Sequence, residues 1–167
     1  MILRPGPYIC GEHDFGGLPW WLLANGTDNV KPRTNEQNYM NAVRRWFDQL
    51  LPRISPYLYK NGGPIITVQV ENEYGFFYAC DAQYKTELKE IFIKYLGDDV
   101  VYFTTDPFGV LKCGVIPGVY PTVDFGVWQD PKEAFDGQRQ YAPKGPLVIK
   151  LNILIMYLSF ILIHLNK

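Results

Sequence analysis

Histidine and cysteine are scarce in this chain of 167 residues, with two of the first and three of the second. His13 and His164 are too few and too far apart in sequence to suggest a zinc site, which draws its ligands from closely spaced pairs. Charge of one sign is also lacking. Sixteen Lys and Arg stand against seventeen Asp and Glu, for a net charge of -1, and the basic residues are scattered. That argues against nucleic acid as a partner, because phosphate binding calls for clustered cations. Gly16-Gly17 and Gly62-Gly63 lack the spacing that cradles a nucleotide phosphate, so neither a cofactor nor a metal is expected. There is no internal repeat and no low-complexity linker. The chain reads as opening directly on a strand without a signal peptide, which leaves either a start that is missing or a cytosolic product with free thiols as the expectation.

What is present is an ordinary globular composition of one-domain length, 47% hydrophobic and 20% charged. Aromatics make up 16%, Trp20, Trp21, Trp46 and Trp128 among them. Sugar sites use flat rings against C–H faces, although most rings in any domain serve packing. A first strand is predicted at residues 2–4, followed by a turn at Pro5-Gly6-Pro7 and a long loop marked by Gly16-Gly17 and Pro19. Thr34 and Gln37 read as a capping box. Tyr39, Val43, Trp46, Phe47, Leu50 and Leu51 then recur at helical spacing until Pro52 stops them. A second helix should be capped by Asp81, bury Tyr84, Leu88, Ile91, Phe92 and Tyr95, and close at Gly97. Further strands are predicted at 65–70, 100–104, 122–125 and 146–148, with a short helix opening at Asp130-Pro131. Five strands alternating with helices imply an α/β fold with a parallel sheet.

The run GPIITVQVENEYG at 63–75 carries the chemistry. Ile65, Ile66, Val68 and Val70 suit a strand covered on both faces, and polar groups crowd its C-terminal end. In parallel α/β barrels that end of the strands gathers the active site, which makes Asn72 and Glu73 the first candidates for catalysis. Glu71 reads as a structural ligand of neighbouring backbone, Asp14 as a loop residue, and Asp106 and Asp124 as satisfied strand-end groups.

GGPIITVQVENEY, together with ILRPGPYICGEHDFGGLPWWL at 2–22, closely resembles the β-galactosidases of glycoside hydrolase family 35. Similarity continues through LLPRISPYLYKNGGP, GDDVVYFTTD, LKCGVIPGVYPTVDFG and APKGPLV, covering 2–148. The resemblance implies a catalytic (β/α)8 barrel, of which this chain would hold approximately strands three to seven, an incomplete barrel with two open edges. It implies a retaining double displacement on terminal β-linked galactose, which needs two carboxyl groups about 5 to 5.5 Å apart. Glu73 matches the general acid/base, and Asn72 the amide that holds the sugar 2-hydroxyl. Glu12, with Gly11 beside it, matches a carboxylate that binds galactose hydroxyls. Gly11 and His13 depart from the commoner Ala and Trp at these flanks, which puts the local sugar contacts in question.

The nucleophile is expected after GPLV in an Asn-Ser-Glu motif, but positions 149 to 151 hold Ile149, Lys150 and Leu151. Leucine cannot form a glycosyl-enzyme intermediate. Residues 1–148 are therefore read as a partial catalytic domain able to meet β-galactoside glycans. Non-catalytic galactose binding and a membrane-tethered pseudoenzyme are the alternatives. The resemblance also implies a Cys80–Cys113 disulfide with Cys10 alone. A disulfide, like the sequon Asn25-Gly26-Thr27, points to a lysosomal or secreted family member.

Residues 149–167 break the pattern. The eleven residues 153–163 are apolar except for Ser159. The longer run that opens on Leu151 and closes on Leu165 still falls short of the ~18 to 20 residues of a spanning helix. The tail reads as translated intron beyond a true exon edge, with a membrane anchor and a buried helix as the other readings.

Overall fold

The structure is a computed structural model and describes residues 1–24 and 30–149. The sequon at 25–27, His164 and the tail from Lys150 onward lie outside the described residues. The chain forms two compact units: Met1–Asn72 with Asp81–Tyr102, and Glu73–Cys80 with the chain from Phe103 onward.

The first unit begins with β1 (Ile2–Leu3), which pairs in parallel with β2 (Thr67–Gln69), Ile2 opposite Thr67 and Leu3 opposite Val68. Between them lie a 3-10 turn at Asp14–Gly17, the short α1 (Trp21–Ala24) and α2 (Gln37–Ile54). The first strand stops before Arg4. The strand expected at 65–70 is shorter at both ends: Ile66, just before it, is 49% exposed rather than covered, and Glu71, beyond it, takes a left-handed backbone that no strand continues.

The helices of this unit follow from their apolar spacing. Tyr39, Val43, Phe47 and Leu51 are buried on α2, joined by Met40. Trp46 instead stands 55% exposed on the helix flank. The cap is Glu36 rather than Thr34: its carboxylate accepts from the backbone N–H of Asn38 (2.8 Å) and Tyr39 (3.0 Å), while the Thr34 hydroxyl accepts from Glu36 N–H. Pro52 sits inside the last turn and the helix runs on to Ile54. A second helix, α3 (Ala82–Leu96), has the expected ends. Asp81 accepts from Tyr84 N–H, and Gly97 closes it at φ +93°. Leu96, not Tyr95, completes its buried face. Phe47 meets Phe92 at 5.1 Å and Tyr39 meets Tyr84 at 6.1 Å between ring centroids, which joins the two helices in one core.

β3 (Val101–Pro107) begins in the first unit and ends in the second. In the second unit β3 runs parallel to β4 (Tyr120–Asp124), with Phe103 opposite Tyr120 and Pro107 opposite Asp124. The crossover holds α4 (Leu111–Gly114), and β4 leads into α5 (Pro131–Tyr141), capped by Asp130. Leu111, Val123, Phe125, Ala134 and Ile149 form the core. The fifth strand expected at 146–148 is reduced to hydrogen bonding along β4: Val123 N–H donates to Val148 O (3.2 Å), and an isolated parallel bridge joins Val123 to Ile149. Gln138, fully buried on α5, donates to Pro121 O and Pro146 O and accepts from Val148 N–H. It thereby ties this segment to the strand. A parallel sheet with flanking helices fits part of a (β/α) barrel.

Candidate functional site

The described chain has seven non-glycine residues at positive φ, and five of them fall in the two motifs singled out above: Cys10, Glu12 and Phe15 in one, Glu71 and Glu73 in the other. Left-handed backbone costs an ordinary residue roughly 1 kcal/mol or more and gathers where a site needs side chains aimed against the regular pattern.

In the first unit the motif 71–72 is held by a polar network that the sequence does not announce. Glu71, 3% exposed, accepts from Arg33 Nε (3.1 Å) and Nη2 (2.8 Å), from the Tyr84 hydroxyl (2.8 Å) and from Asn72 N–H (2.6 Å). It is thus a structural group, but bound mainly by Arg33 and Tyr84 rather than by backbone alone. Arg33 also donates to Asn72 O (2.7 Å) and lies over the Tyr8 ring at 3.9 Å. Burial works against the charged guanidinium, yet the Glu71 carboxylate more than offsets it, and the Arg33 pKa lies above the ordinary arginine value. Burial first and the Glu71 charge second push the Tyr84 phenol well above its usual pKa, so it stays a neutral donor.

Asn72, 1% exposed, accepts at Oδ1 from Arg4 Nη2 (2.7 Å) and Gln69 Nε2 (3.1 Å). That fixes the amide so that its NH2 faces the other way. Gly11 and Glu12 lie in a loop that closes on itself through Gly11 N–H to Gly16 O and Gly16 N–H to His13 O, both 2.9 Å. Glu12 is exposed at φ +54°, in irregular chain.

The second unit holds Glu73, partly exposed at φ +46°. Its N–H donates to Thr105 O on β3 (2.9 Å), and it opens the 3-10 turn Tyr74–Phe76 without a side-chain cap. Asp106, at the end of β3, accepts from Gly75 N–H (2.6 Å), and a Cβ on Gly114 would overlap its carboxylate. The Thr105 and Thr122 hydroxyls meet at 2.8 Å across the register pair. A Cys80–Cys113 disulfide, with Cα atoms 5.1 Å apart, fastens the turn after Glu73 to α4. Cys10 is outside any disulfide.

Arg33, Arg4, Gln69 and Tyr84 are the functional neighbours that sequence reasoning missed. Arg33 lies in the polar stretch KPRTNE, where no periodicity singles out one residue, and Tyr84 reads only as one buried ring of a helix face.

The profile of the family described as glycosyl hydrolases family 35 matches residues 1–159, past residue 148 where the quoted motifs stop. The chain is 52% identical over 150 residues to the β-galactosidase of Homo sapiens and 51% identical to that of Mus musculus. It is 50% identical over 148 residues to a mouse protein described as β-galactosidase-1-like. These alignments cover 89% of this chain and 22%, 23% and 23% of the respective relatives, so the chain spans under a quarter of the length of the proteins it matches. The chain belongs to glycosyl hydrolase family 35.

Proposed function

We propose that this chain carries the proton-transfer half of a retaining β-galactosidase site, with Glu73 as the general acid/base and Asn72, Glu12 and Gly11 as the groups that hold galactose. One contrast carries the reading. Of the two carboxylates in the ENE motif, Glu71 is consumed by Arg33 and Tyr84, whereas Glu73 is partly exposed and held at the carboxyl end of β3. Proton transfer at a glycosidic oxygen needs such an accessible carboxyl group. A complete relative would hydrolyse terminal β-D-galactose by double displacement, and the disulfide supports a secretory or lysosomal setting for it.

The attacking carboxylate has no counterpart at 149 to 151. Ile149 is 6% exposed within the apolar core of its unit, and Lys150 and Leu151 follow it. Purified chain is expected to release no aryl group from an aryl β-galactoside above background. Turnover that vanished in Glu73→Gln would overturn this. The same core position of Ile149 favours a second reading, galactose binding without hydrolysis, because binding needs no nucleophile. Titration calorimetry with galactose distinguishes the two by saturable heat. A membrane-tethered form would resist carbonate extraction; among the described residues no helix is long and apolar enough to cross a membrane.

A further inference from the structure

We propose that Asp106 is the positioning residue of Glu73: its carboxylate holds the turn that follows Glu73 against the end of β3 and thereby sets where the acid/base carboxyl group stands. The inference rests on the reading of Glu73 above, and every residue it uses belongs to the second unit.

Glu73 needs an external mount. It takes φ +46°, which an L residue reaches only at a cost, and its own side chain caps nothing at the head of the Tyr74–Phe76 turn. Successive residues of β3 hold that turn: Thr105 O accepts from Glu73 N–H at 2.9 Å, and Asp106 Oδ1 accepts from Gly75 N–H at 2.6 Å. The first bond is backbone to backbone and open to any residue type. The second depends on the Asp106 side chain.

Asp106 is closely seated for this role. It is 1% exposed, and a Cβ on Gly114 would come within 2.2 Å of its carboxylate atoms, so the group lies on the bare Cα of α4. Gly75 is fitted as tightly, since a Cβ there would sit 2.5 Å from Val110 O. Cys80, at the far end of the same segment, is bonded to Cys113, the neighbour of Gly114. Residues 73–80 are thus held at their start by β3, at Gly75 by Asp106 and at their end by α4. Loss of the Asp106 carboxylate frees the stretch nearest Glu73 while the disulfide keeps the rest in place. A general acid acts only within hydrogen-bond reach of the leaving oxygen, so a small displacement there costs rate.

The test uses the full chain with Asp106→Ala and with Asp106→Asn, which keeps an oxygen for Gly75 N–H. Amide hydrogen exchange should quicken roughly 10-fold at Glu73 and Gly75 in Asp106→Ala, the size of one hydrogen bond. Val123 N–H, bonded to Val148 O, should stay unchanged, and Asp106→Asn should exchange as the native chain does. Azide then supplies the attacking group that positions 149 to 151 lack. Its attack at the anomeric carbon breaks the glycosidic C–O bond; the departing oxygen takes a proton from Glu73 when the aglycone is phenol and leaves as the free anion when it is dinitrophenol. Asp106→Ala should slow azide-dependent release of phenol roughly 10-fold or more, part of the roughly 10²- to 10⁴-fold that a placed general acid contributes, and release of dinitrophenol less than about 2-fold. Asp106→Asn should restore most of the phenol rate. Equal slowing of both aglycones, or exchange raised at Val123 as much as at Glu73, would refute the positioning role and leave the acid/base reading in place. If the native chain releases no phenol with azide, or Glu73→Gln releases it at the native rate, the acid/base reading fails and takes the proposal with it. Asp106→Ser, too short to reach Gly75 N–H, carries the same expectations should Asp106→Ala not fold.

Discussion

Replacing Arg33 by Met should be among the most damaging single changes in the first unit, and the reason is what it leaves behind. The side chains of Arg33 and Glu71 are 11% and 2% exposed, and the pair is bidentate. Methionine retains much of the stem volume but leaves the Glu71 carboxylate buried with only the Tyr84 hydroxyl and Asn72 N–H against it. Removing one partner of a buried pair costs about 3 to 5 kcal/mol, a large share of the ~5 to 15 kcal/mol that holds a domain. With a urea slope of about 2 kcal/mol per molar, the unfolding midpoint should fall by roughly 1.5 M or more. Glu71→Gln keeps an acceptor for Tyr84 and removes the charge. The double variant should therefore lose far less than the two single losses together, with a coupling of about 2 kcal/mol. Circular dichroism during urea titration of the four proteins closes the cycle. A single-variant loss below about 0.5 kcal/mol, or losses that add, would show that the ion pair does not hold this motif in place.

The disulfide, with a sequence separation of 33 between Cys80 and Cys113, should contribute about 3.7 kcal/mol by loop closure. Cys80→Ser or added reductant should lower the unfolding midpoint accordingly, and intact-mass alkylation under native conditions should label one thiol, Cys10. Gly114→Ala should cost about 1 to 3 kcal/mol, because the new methyl overlaps the Asp106 carboxylate. Gly109→Ala, with open space around its Cα, should be far milder in the same melt. Burial raises the phenols of Tyr39, Tyr84 and Tyr102 above their unfolded value, so above about pH 10 the unfolded chain loses protons that the folded chain keeps. Their contribution to stability should be level below that pH and fall as pH rises beyond it. Three tyrosines should ionise only as the chain unfolds, which near-ultraviolet tyrosinate absorbance would follow.

The elements best read from sequence are those whose signal is local. Asp81 and Gly97 bound α3 as expected because a carboxylate next to an apolar period and a glycine after it act through backbone within a few residues. Pro52 did not act as a stop, since α2 carries it in its last turn and runs on to Ile54, and Glu36 displaced Thr34 as cap because its carboxylate reaches two N–H groups at once. The expected strand at 146–148 is apolar, as a strand should be, but its hydrogen bonds go to one neighbour and to Gln138, and no sequence pattern reveals where a partner lies. The Cys80–Cys113 link was legible only through the family resemblance, since three cysteines allow three pairings.

The motif 71–73 shows why site residues can be named from sequence before their roles can. A regular strand has a period of two, so Glu71 and Glu73 would share a face and Asn72 would oppose them. Left-handed backbone at both glutamates breaks that alternation. Glu71 turns inward to Arg33 and Tyr84, Asn72 is gripped at its carbonyl, its N–H and its side-chain oxygen, and Glu73 emerges partly exposed against β3. Two like charges two residues apart are therefore given different burial, Glu71 enclosed beside a cation and Glu73 partly exposed. A Glu71→Asp variant sharpens the point. The shorter carboxylate cannot span Arg33 and Tyr84 together, so loss of galactose binding in that variant, with the helical signal intact, would show that the grip on Asn72 matters more to the site than the charge of Glu71 itself. Unchanged binding would assign Glu71 to stability alone.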